Sequence, residues 1–193
     1  FIENYRKGFP FLKLVAAATP ERGIAVMDEA AQREAVERYD AFRGKVVKFV
    51  PASGAASRMF KDLFEGRDAL ASGKALEGGS KARKFVDNID RFAFYSREDF
   101  AGLSDYQVID HVIGQGLSAS GEPGLDYGNR PKGQVLFHRY DGEVRTAFEE
   151  HLVEGALYAR SADGVVHIHF TVSPAHQAGF EKILGETVAK YEE

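Results

Sequence analysis

Apolar residues follow strand and helix periods in turn along the chain, and this alternation predicts most of the secondary structure. Residues 45–50 are mostly apolar without regular alternation, which is typical of a parallel strand covered on both faces. Residues 57–72 return to a helical period, with apolar side chains on one side. The same order is predicted further on as strand, helix, strand and helix over residues 134–140, 146–160, 165–172 and 173–191.

This order of elements predicts an α/β fold in which helices cover both faces of an open, mainly parallel sheet, giving three layers. The α/β domain would span residues 45–193, with a core formed by residues 45–61 and 130–193. A helical insertion of about 62–129 would separate the two core segments. The insertion is predicted to contain helices at 80–95 and 104–115, followed by a long loop at 116–133.

Residues 1–44 are predicted to form a separate N-terminal helical segment. It begins with a short amphipathic stretch that starts at Phe1. Asp28 is predicted to cap a helix that runs to about Arg43, and Gly44 would close this helix.

Three further helix starts carry capping signals. Ser104 is predicted to cap the helix at 104–115, and Thr146 with Glu149 forms a capping-box pattern. Ser173 is predicted to be a cap because Pro174 would then occupy the first helical position.

The composition narrows the class of protein. The net charge of −4 argues against a nucleic-acid partner, because proteins that bind phosphate backbones have a marked basic excess. No apolar run approaches the roughly 18 residues of a membrane span, so no membrane partner is expected. The absence of cysteine excludes disulfides and thiolate metal sites, and it fits a cytoplasmic location. The residues at both ends indicate a piece of a longer protein.

Two short basic turns are the candidates for chemistry. The strand at 45–50 leads into the first turn, which is made of small residues and continues into Arg58. Small side chains let a phosphate approach the main chain, and backbone N–H groups at a strand-to-helix turn attract anions. The second turn is Arg-Pro-Lys-Gly at residues 130–133, which also precedes an apolar run. The residues predicted to bind phosphates are Ala52, Ser53, Gly54, Ala55, Ala56 and Ser57.

Arg58 and Lys132 are the predicted catalytic residues of this site. Arg58 is expected in the first turn of the helix at 57–72, where its guanidinium group would bind two phosphate oxygens. Lys132 would reach in from the neighbouring strand as a point charge. The alternative is that the first turn is only a tight connection and that Arg58 is solvated. Four further cations lie near the two turns in the sequence: Lys45, Lys48, Lys61 and Arg130.

The order of a strand, a small-residue turn with Arg-Met, and then Pro-Lys-Gly resembles the sugar-phosphate nucleotidyltransferases. These enzymes have a Rossmann-like core of the GT-A type, and their signature matches Gly54, Arg58 and Lys132 here. The resemblance implies an enzyme that joins a nucleoside triphosphate to a sugar phosphate or similar small phosphorylated acceptor and releases pyrophosphate. It also implies Mg²⁺, with ligands mostly beyond this chain. Arg58 and Lys132 are 74 positions apart, and the helical insertion accounts for this distance.

Longer blocks of the chain resemble an uncharacterised bacterial family, domain-of-unknown-function family 4301. The resemblance includes GFPFLKL at residues 8–14 and covers most of the chain. It implies a longer parent protein and no established activity. The blocks are Lys48–Lys61, Tyr127–Tyr140, Phe148–Tyr158 and His167–Pro174.

Two other functions are left open by the sequence. The first is a non-catalytic module that binds a nucleotide or phosphometabolite, which the single glycine of the first turn would suit. The second is a metal site, since His167 and His169 point to one face of a predicted strand, with His176 or His138 as further ligands. The favoured interpretation of His167 and His169 is a hydrogen-bonded pair inside a helix-covered sheet. No oligomeric state is predicted.

Overall fold

The computed structural model describes residues 2–192. Phe1 and Glu193 lie outside the described residues, and so do the start of the predicted amphipathic stretch and the outer ends of the predicted domains. The chain divides into two compact units, one that ends at Arg43 and one that begins at Gly44. The predicted boundary after residue 44 differs from this division by one residue.

The first unit contains helices α1 (Ile2–Lys7) and α2 (Glu29–Ala41). The Asp28 carboxylate accepts a hydrogen bond from the Ala31 amide at 2.8 Å, so the predicted cap is confirmed. Neither helix has a buried residue within the described part of the unit. The secondary structure of this unit is therefore specified by local signals rather than by a core of its own.

The second unit contains four strands and six helices within the described residues. None of the helices formed by residues 2–192 has the length and apolar character needed to cross a bilayer. The strands are β1 (Val47–Pro51), β2 (Leu136–Tyr140), β3 (Glu143–Thr146) and β4 (His167–Thr171). The helices are α3 (Lys61–Ala71), α4 (Lys81–Asp87), α5 (Arg97–Phe100), α6 (Asp105–Ile113), α7 (Ala147–Tyr158) and α8 (Gln177–Tyr191).

These strands form two separate two-stranded sheets. β1 pairs in parallel with β4, with Val47 opposite His167, whereas β2 pairs antiparallel with β3. A tight turn at residues 141–142 joins β2 to β3, and an Asp-Gly pair between two strands is a strong hairpin signal. The α/β class is confirmed. The single, mainly parallel sheet expected of a Rossmann-like core is wrong for the described residues, because β2 pairs with the strand that follows it in the chain.

Helices cover one face of the parallel sheet. The Phe148 ring of α7 lies 4.3 Å from the Phe170 ring and 5.0 Å from the Phe180 ring of α8, measured between centroids. On the opposite face, Phe49 is 64% exposed and its cross-strand neighbour His169 is exposed as well. The predicted third layer is therefore wrong, because the helices of this unit pack on one side of β1 and β4 only.

Helices α3, α4 and α6 of the helical insertion build a hydrophobic core, which Ala56 and Val135 from outside the insertion also enter. Ser104 caps α6, as predicted, and the structure adds a complete capping box with Gln107. The single helix predicted at 80–95 is wrong, since the chain forms α4, a 3-10 turn at residues 89–91 and α5. The Asn88 side-chain amide donates to the Lys84 carbonyl at 2.8 Å, and this local bond accompanies the end of α4.

The structure confirms one of the two caps predicted in the second half of the chain, that of Thr146, and not the other, that of Ser173. The Thr146 hydroxyl accepts a hydrogen bond from the Glu149 amide at 3.1 Å and caps α7, so this half of the predicted capping box is confirmed. The return bond to the Glu149 side chain is not formed among the described residues. The Glu149 carboxylate binds Lys190 of α8 at 2.7 Å. Ser173 stands before a 3-10 turn at residues 174–176, but its hydroxyl makes no capping bond there. The predicted Ser173 cap is wrong because α8 begins only after this turn.

The long loop after α6 is pinned to the end of that helix. The amides of residues 125, 127 and 128 donate to the carbonyls of residues 111, 112 and 113 at 2.7, 3.0 and 3.1 Å. These carbonyls belong to the last turn of α6 and have no acceptor role within the helix. The predicted long loop is confirmed, and its backbone follows a fixed path that leads to the second basic turn.

Gly128→Ala is expected to lower the free energy of unfolding by about 1–3 kcal/mol. An added Cβ would lie 2.5 Å from the Ile113 carbonyl oxygen and 2.6 Å from the Phe64 ring, and the carbonyl cannot move without losing its hydrogen bond. Gly78→Ala is the control, since nothing lies within 4 Å of a Cβ there. Urea denaturation measures both variants, and equal stabilities would contradict the close packing of the loop on α6.

Candidate functional site

The two basic turns are paired through their backbones. Ala55 and Pro131 form an isolated antiparallel bridge. The Lys132 amide donates to the Gly54 carbonyl at 2.9 Å, and the Ala56 amide donates to the Arg130 carbonyl at 3.4 Å. Segments that are far apart in the sequence therefore meet in direct contact, as a joint site requires.

Aromatic packing supports this pairing from the side of the helical insertion. The Phe60 ring, at the end of the first turn, stacks on the Tyr127 ring with centroids 6.3 Å apart. Tyr127 is only 2% exposed, and its hydroxyl accepts a hydrogen bond from the Leu136 amide at 3.3 Å. Burial raises the pKa of the Tyr127 hydroxyl, so the ring packs as a neutral phenol.

The first turn leaves the parallel sheet at the carboxyl ends of β1 and β4. The Ala52 amide donates to the Thr171 carbonyl at 2.9 Å and extends the pairing of the two strands. In parallel α/β sheets, ligands bind outside this edge. The turn, the end of β4 and Ser173 therefore lie on the side of the sheet where a ligand would be expected.

The residues of the first turn have two different roles. Ala52 and Ala56 are buried, and their amides already donate to carbonyls of the protein. They hold the turn in place, so their amides are not available for the predicted phosphate contacts. The exposed residues of the turn are Ser53, Gly54, Ala55 and Ser57.

Glycine in the second turn has a packing role. A Cβ on Gly133 would lie 2.7 Å from the Phe180 ring, so only glycine lets this backbone approach α8 so closely. Pro131 is fully buried, whereas Lys132 is exposed. In the Pro-Lys-Gly sequence, the outer two residues fix the turn and the lysine faces solvent.

Arg58 does not lie in a helix. α3 begins at Lys61, and Arg58 belongs to a separate turn in which the Ala56 carbonyl accepts from the Met59 amide at 2.8 Å. The prediction that Arg58 occupies the first helical turn is wrong, because α3 begins only at Lys61, and the buried Phe60 stands directly before it. Arg58 is exposed, and its side chain has no hydrogen-bond or ion-pair partner among the residues described.

The cations near the turns fall into paired and unpaired groups. Lys48 points to the helix-covered face of the sheet, where it forms an ion pair with Glu154 and donates to the His151 carbonyl at 3.2 Å. Lys61 pairs with Glu65 at 3.5 Å. Within residues 2–192, no carboxylate partner is found for Lys45, Arg58, Arg130 and Lys132. Three of these four unpaired cations, Arg58, Arg130 and Lys132, belong to the two turns.

The described residues provide no ligand set for the predicted metal sites. Residues 2–192 contain no group of three or more His, Cys, Asp or Glu side chains that could hold a metal ion. His167 is half-buried and His169 is exposed on the open face of the sheet. The favoured interpretation of a histidine pair inside a helix-covered sheet is wrong, because His169 is exposed and the described helices of the second unit pack on the other face of β4. The predicted Mg²⁺ ligands beyond this chain stay a prediction.

Phe60, Tyr127 and Pro131 are structural residues of the site that the sequence alone does not assign to it. Tyr127 directly precedes the Gly-Asn-Arg of the second turn, and Phe60 follows the first turn. An aromatic residue therefore lies close to each basic turn in the sequence, and this is the signal that could have indicated a contact between the two turns. The contact between the Phe60 and Tyr127 rings is a tertiary feature, since most of the helical insertion lies between them in the sequence.

These features define a mixed α/β protein in which two basic turns meet at the carboxyl edge of a small parallel sheet. The chain belongs to the family described as Domain of unknown function (DUF4301), whose family model matches residues 1–193. Neither the curated proteins nor the solved structures contain a match to this chain.

The Lys48–Glu154 pair is expected to make stability depend on pH in acid. The hydrogen bond from Lys48 lowers the pKa of Glu154 from 4.5 to about 2. The pair therefore stabilises the fold above pH 4.5, and this contribution is lost as the pH falls from 4.5 towards 2. Lys48→Met should flatten the decline in the free energy of unfolding over that range, as measured by urea denaturation.

Lys61→Met is the matched control, since Lys61 pairs with Glu65 on the exposed surface. It should leave the pH dependence of stability close to that of the wild type. If Lys48→Met and the wild type declined in parallel, the pair would not be the source of this pH dependence.

Proposed function

We propose that the paired turns bind the polyphosphate of a nucleoside triphosphate. The observation that carries this proposal is the backbone pairing of Ala55 with Pro131, which brings together two exposed turns that each carry an unpaired cation. A polyphosphate needs several donors and positive charges within a short distance, and a single basic turn offers too few.

Each part of the site has a distinct part in phosphate binding. The exposed residues of the first turn let phosphate oxygens reach the main chain, because their side chains are small. The Arg58 guanidinium group can donate two parallel hydrogen bonds to one phosphate, and the Lys132 ammonium group acts as a mobile point charge. Ala52 and Ala56 keep this arrangement in place through their buried side chains and bonded amides.

The reaction we assign to the site is nucleotidyl transfer to a sugar phosphate or similar acceptor. An oxygen of the acceptor phosphate attacks the α-phosphorus, the bond from this phosphorus to the bridging oxygen breaks, and pyrophosphate leaves. Arg58 and Lys132 would stabilise the negative charge that grows on the departing pyrophosphate. The resemblance of the two turns to sugar-phosphate nucleotidyltransferases supports this reaction.

Residues 2–192 contain no carboxylate cluster that could hold the Mg²⁺ that this resemblance implies. No step of the proposed reaction is therefore assigned to a metal ion. The single glycine of the first turn suits a second candidate, a non-catalytic module that binds a nucleotide or phosphometabolite at the same turns. Release of pyrophosphate separates the two candidates, because only the transferase produces it.

A nucleoside triphosphate is expected to raise the melting temperature of the chain. At about 100 times its Kd, a ligand that binds only the folded state adds about 2.7 kcal/mol of stability. Arg58→Ala and Lys132→Ala should each remove most of this shift, since a hydrogen bond to a charged group contributes about 1.5–3 kcal/mol. Thermal unfolding with each of the four nucleoside triphosphates, with and without Mg²⁺, measures the effect.

Arg97→Ala and Lys84→Ala are the matched controls, because both cations are exposed on the helical insertion and lie outside the turns. They should retain the full ligand shift. A shift that persists in Arg58→Ala and Lys132→Ala, or the absence of any shift in the wild type, would contradict binding at the turns. Pyrophosphate release in the presence of sugar phosphates then decides between transferase and binding module.

A further inference from the structure

A cavity of about 310 Å³ adjoins the two turns. Met59 and Phe60, which directly follow Arg58, line one side of the cavity. Val135 and Phe137, a few residues after Lys132, line another. Both turns therefore continue into the wall of the same cavity.

The remaining wall is aromatic. Phe85 and Phe92 lie with their ring centroids 4.6 Å apart, and Phe94 stacks beside Phe92 at 5.4 Å. All three rings line the cavity and are only half-buried, so part of their surface faces the open space. Aromatic faces of this kind bind planar rings by stacking.

This wall is held in a fixed position by β2. The Arg139 guanidinium group donates to the backbone carbonyls of Phe92, Ala93 and Tyr95 at 2.7, 3.1 and 2.9 Å. One side chain therefore ties the aromatic segment to the strand that follows the second turn.

Polar side chains stand among the lining residues. Asp62 and Lys81 form an ion pair at 3.0 Å, and both line the cavity. Arg91 also lines it, is exposed, and has no carboxylate partner within the described part of the chain. The cavity thus combines aromatic surface with hydrogen-bond donors and an acceptor.

We infer that this cavity receives the base of the nucleotide whose phosphates bind at the paired turns; the inference rests on the function proposed above. A nucleobase is planar and stacks on the phenylalanine rings, while its heteroatoms bond to Asp62, Lys81 or Arg91. An alkyl chain would fit the rings but has no groups for these polar side chains. The helical insertion therefore has a specific role, since α4 and the segment that follows it supply most of the aromatic wall.

The first test compares nucleotides with inorganic tripolyphosphate, which has the phosphates and no base. Isothermal titration calorimetry of the 193-residue chain should show at least one nucleoside triphosphate that binds tenfold or more tightly than tripolyphosphate, a difference of about 1.4 kcal/mol. Ala93→Leu places a larger side chain at the cavity wall. It should reduce nucleotide affinity to that of tripolyphosphate and leave tripolyphosphate binding unchanged.

The second test detects the base directly and does not depend on filling the cavity. The chain has no tryptophan, so Phe137→Trp introduces a single indole at a wall position that is 45% exposed. A nucleoside triphosphate should quench its fluorescence, and tripolyphosphate should not. Leu117→Trp is the control, because Leu117 is exposed on the long loop and does not line the cavity.

The outcomes separate this inference from the proposed function. If nucleotides and tripolyphosphate bind equally and quenching in Phe137→Trp matches that in Leu117→Trp, the base site is overturned and the phosphate site stands. If nucleotides quench selectively but Arg58→Ala and Lys132→Ala bind them as the wild type does, the phosphate site is overturned and the cavity stands. If no nucleotide or tripolyphosphate binds the wild type, both are overturned.

Discussion

The antiparallel bridge between Ala55 and Pro131 is the contact on which the candidate site depends. Its two hydrogen bonds, from Lys132 to Gly54 and from Ala56 to Arg130, join the first turn to the end of the long loop. That loop is in turn bonded to the last carbonyls of α6. The second turn is consequently held from both ends, by the helical insertion and by the parallel sheet. A phosphate site made of two short turns needs this fixed geometry, because neither turn alone carries enough donors.

The first turn also lies between two hydrophobic cores. Ala52 packs into the core formed by Phe148 and Phe180, while Ala56 packs into the core of the helical insertion. The small size of these two residues lets one short segment enter both cores, and the three residues between them remain exposed. The composition of the turn therefore has two physical explanations, close packing at its ends and an accessible backbone in its middle.

The two basic turns would bind the phosphates of the proposed ligand, and the aromatic cavity beside them would bind its base. The turns carry cations without carboxylate partners, and residues that come shortly after each turn in the sequence line the aromatic cavity. Lys48, by contrast, forms an ion pair with Glu154 on the helix-covered face of the sheet and contributes to stability. This division makes the helical insertion part of the proposed ligand site, where the sequence indicates only a spacer between two core segments.

The sequence by itself determined the features that depend on neighbouring residues. The caps by Asp28, Ser104 and Thr146 are hydrogen bonds within three positions, so local sequence specifies them. The sequence also indicated that the first basic turn follows an apolar strand and that the second precedes one. Only the tertiary structure decided that β2 pairs with β3, that one face of the parallel sheet stays open, and that Arg58 precedes α3. Strand partners, the covering of a sheet and the burial of Phe60 depend on contacts between residues far apart in the chain, and no local pattern records which of the competing contacts forms.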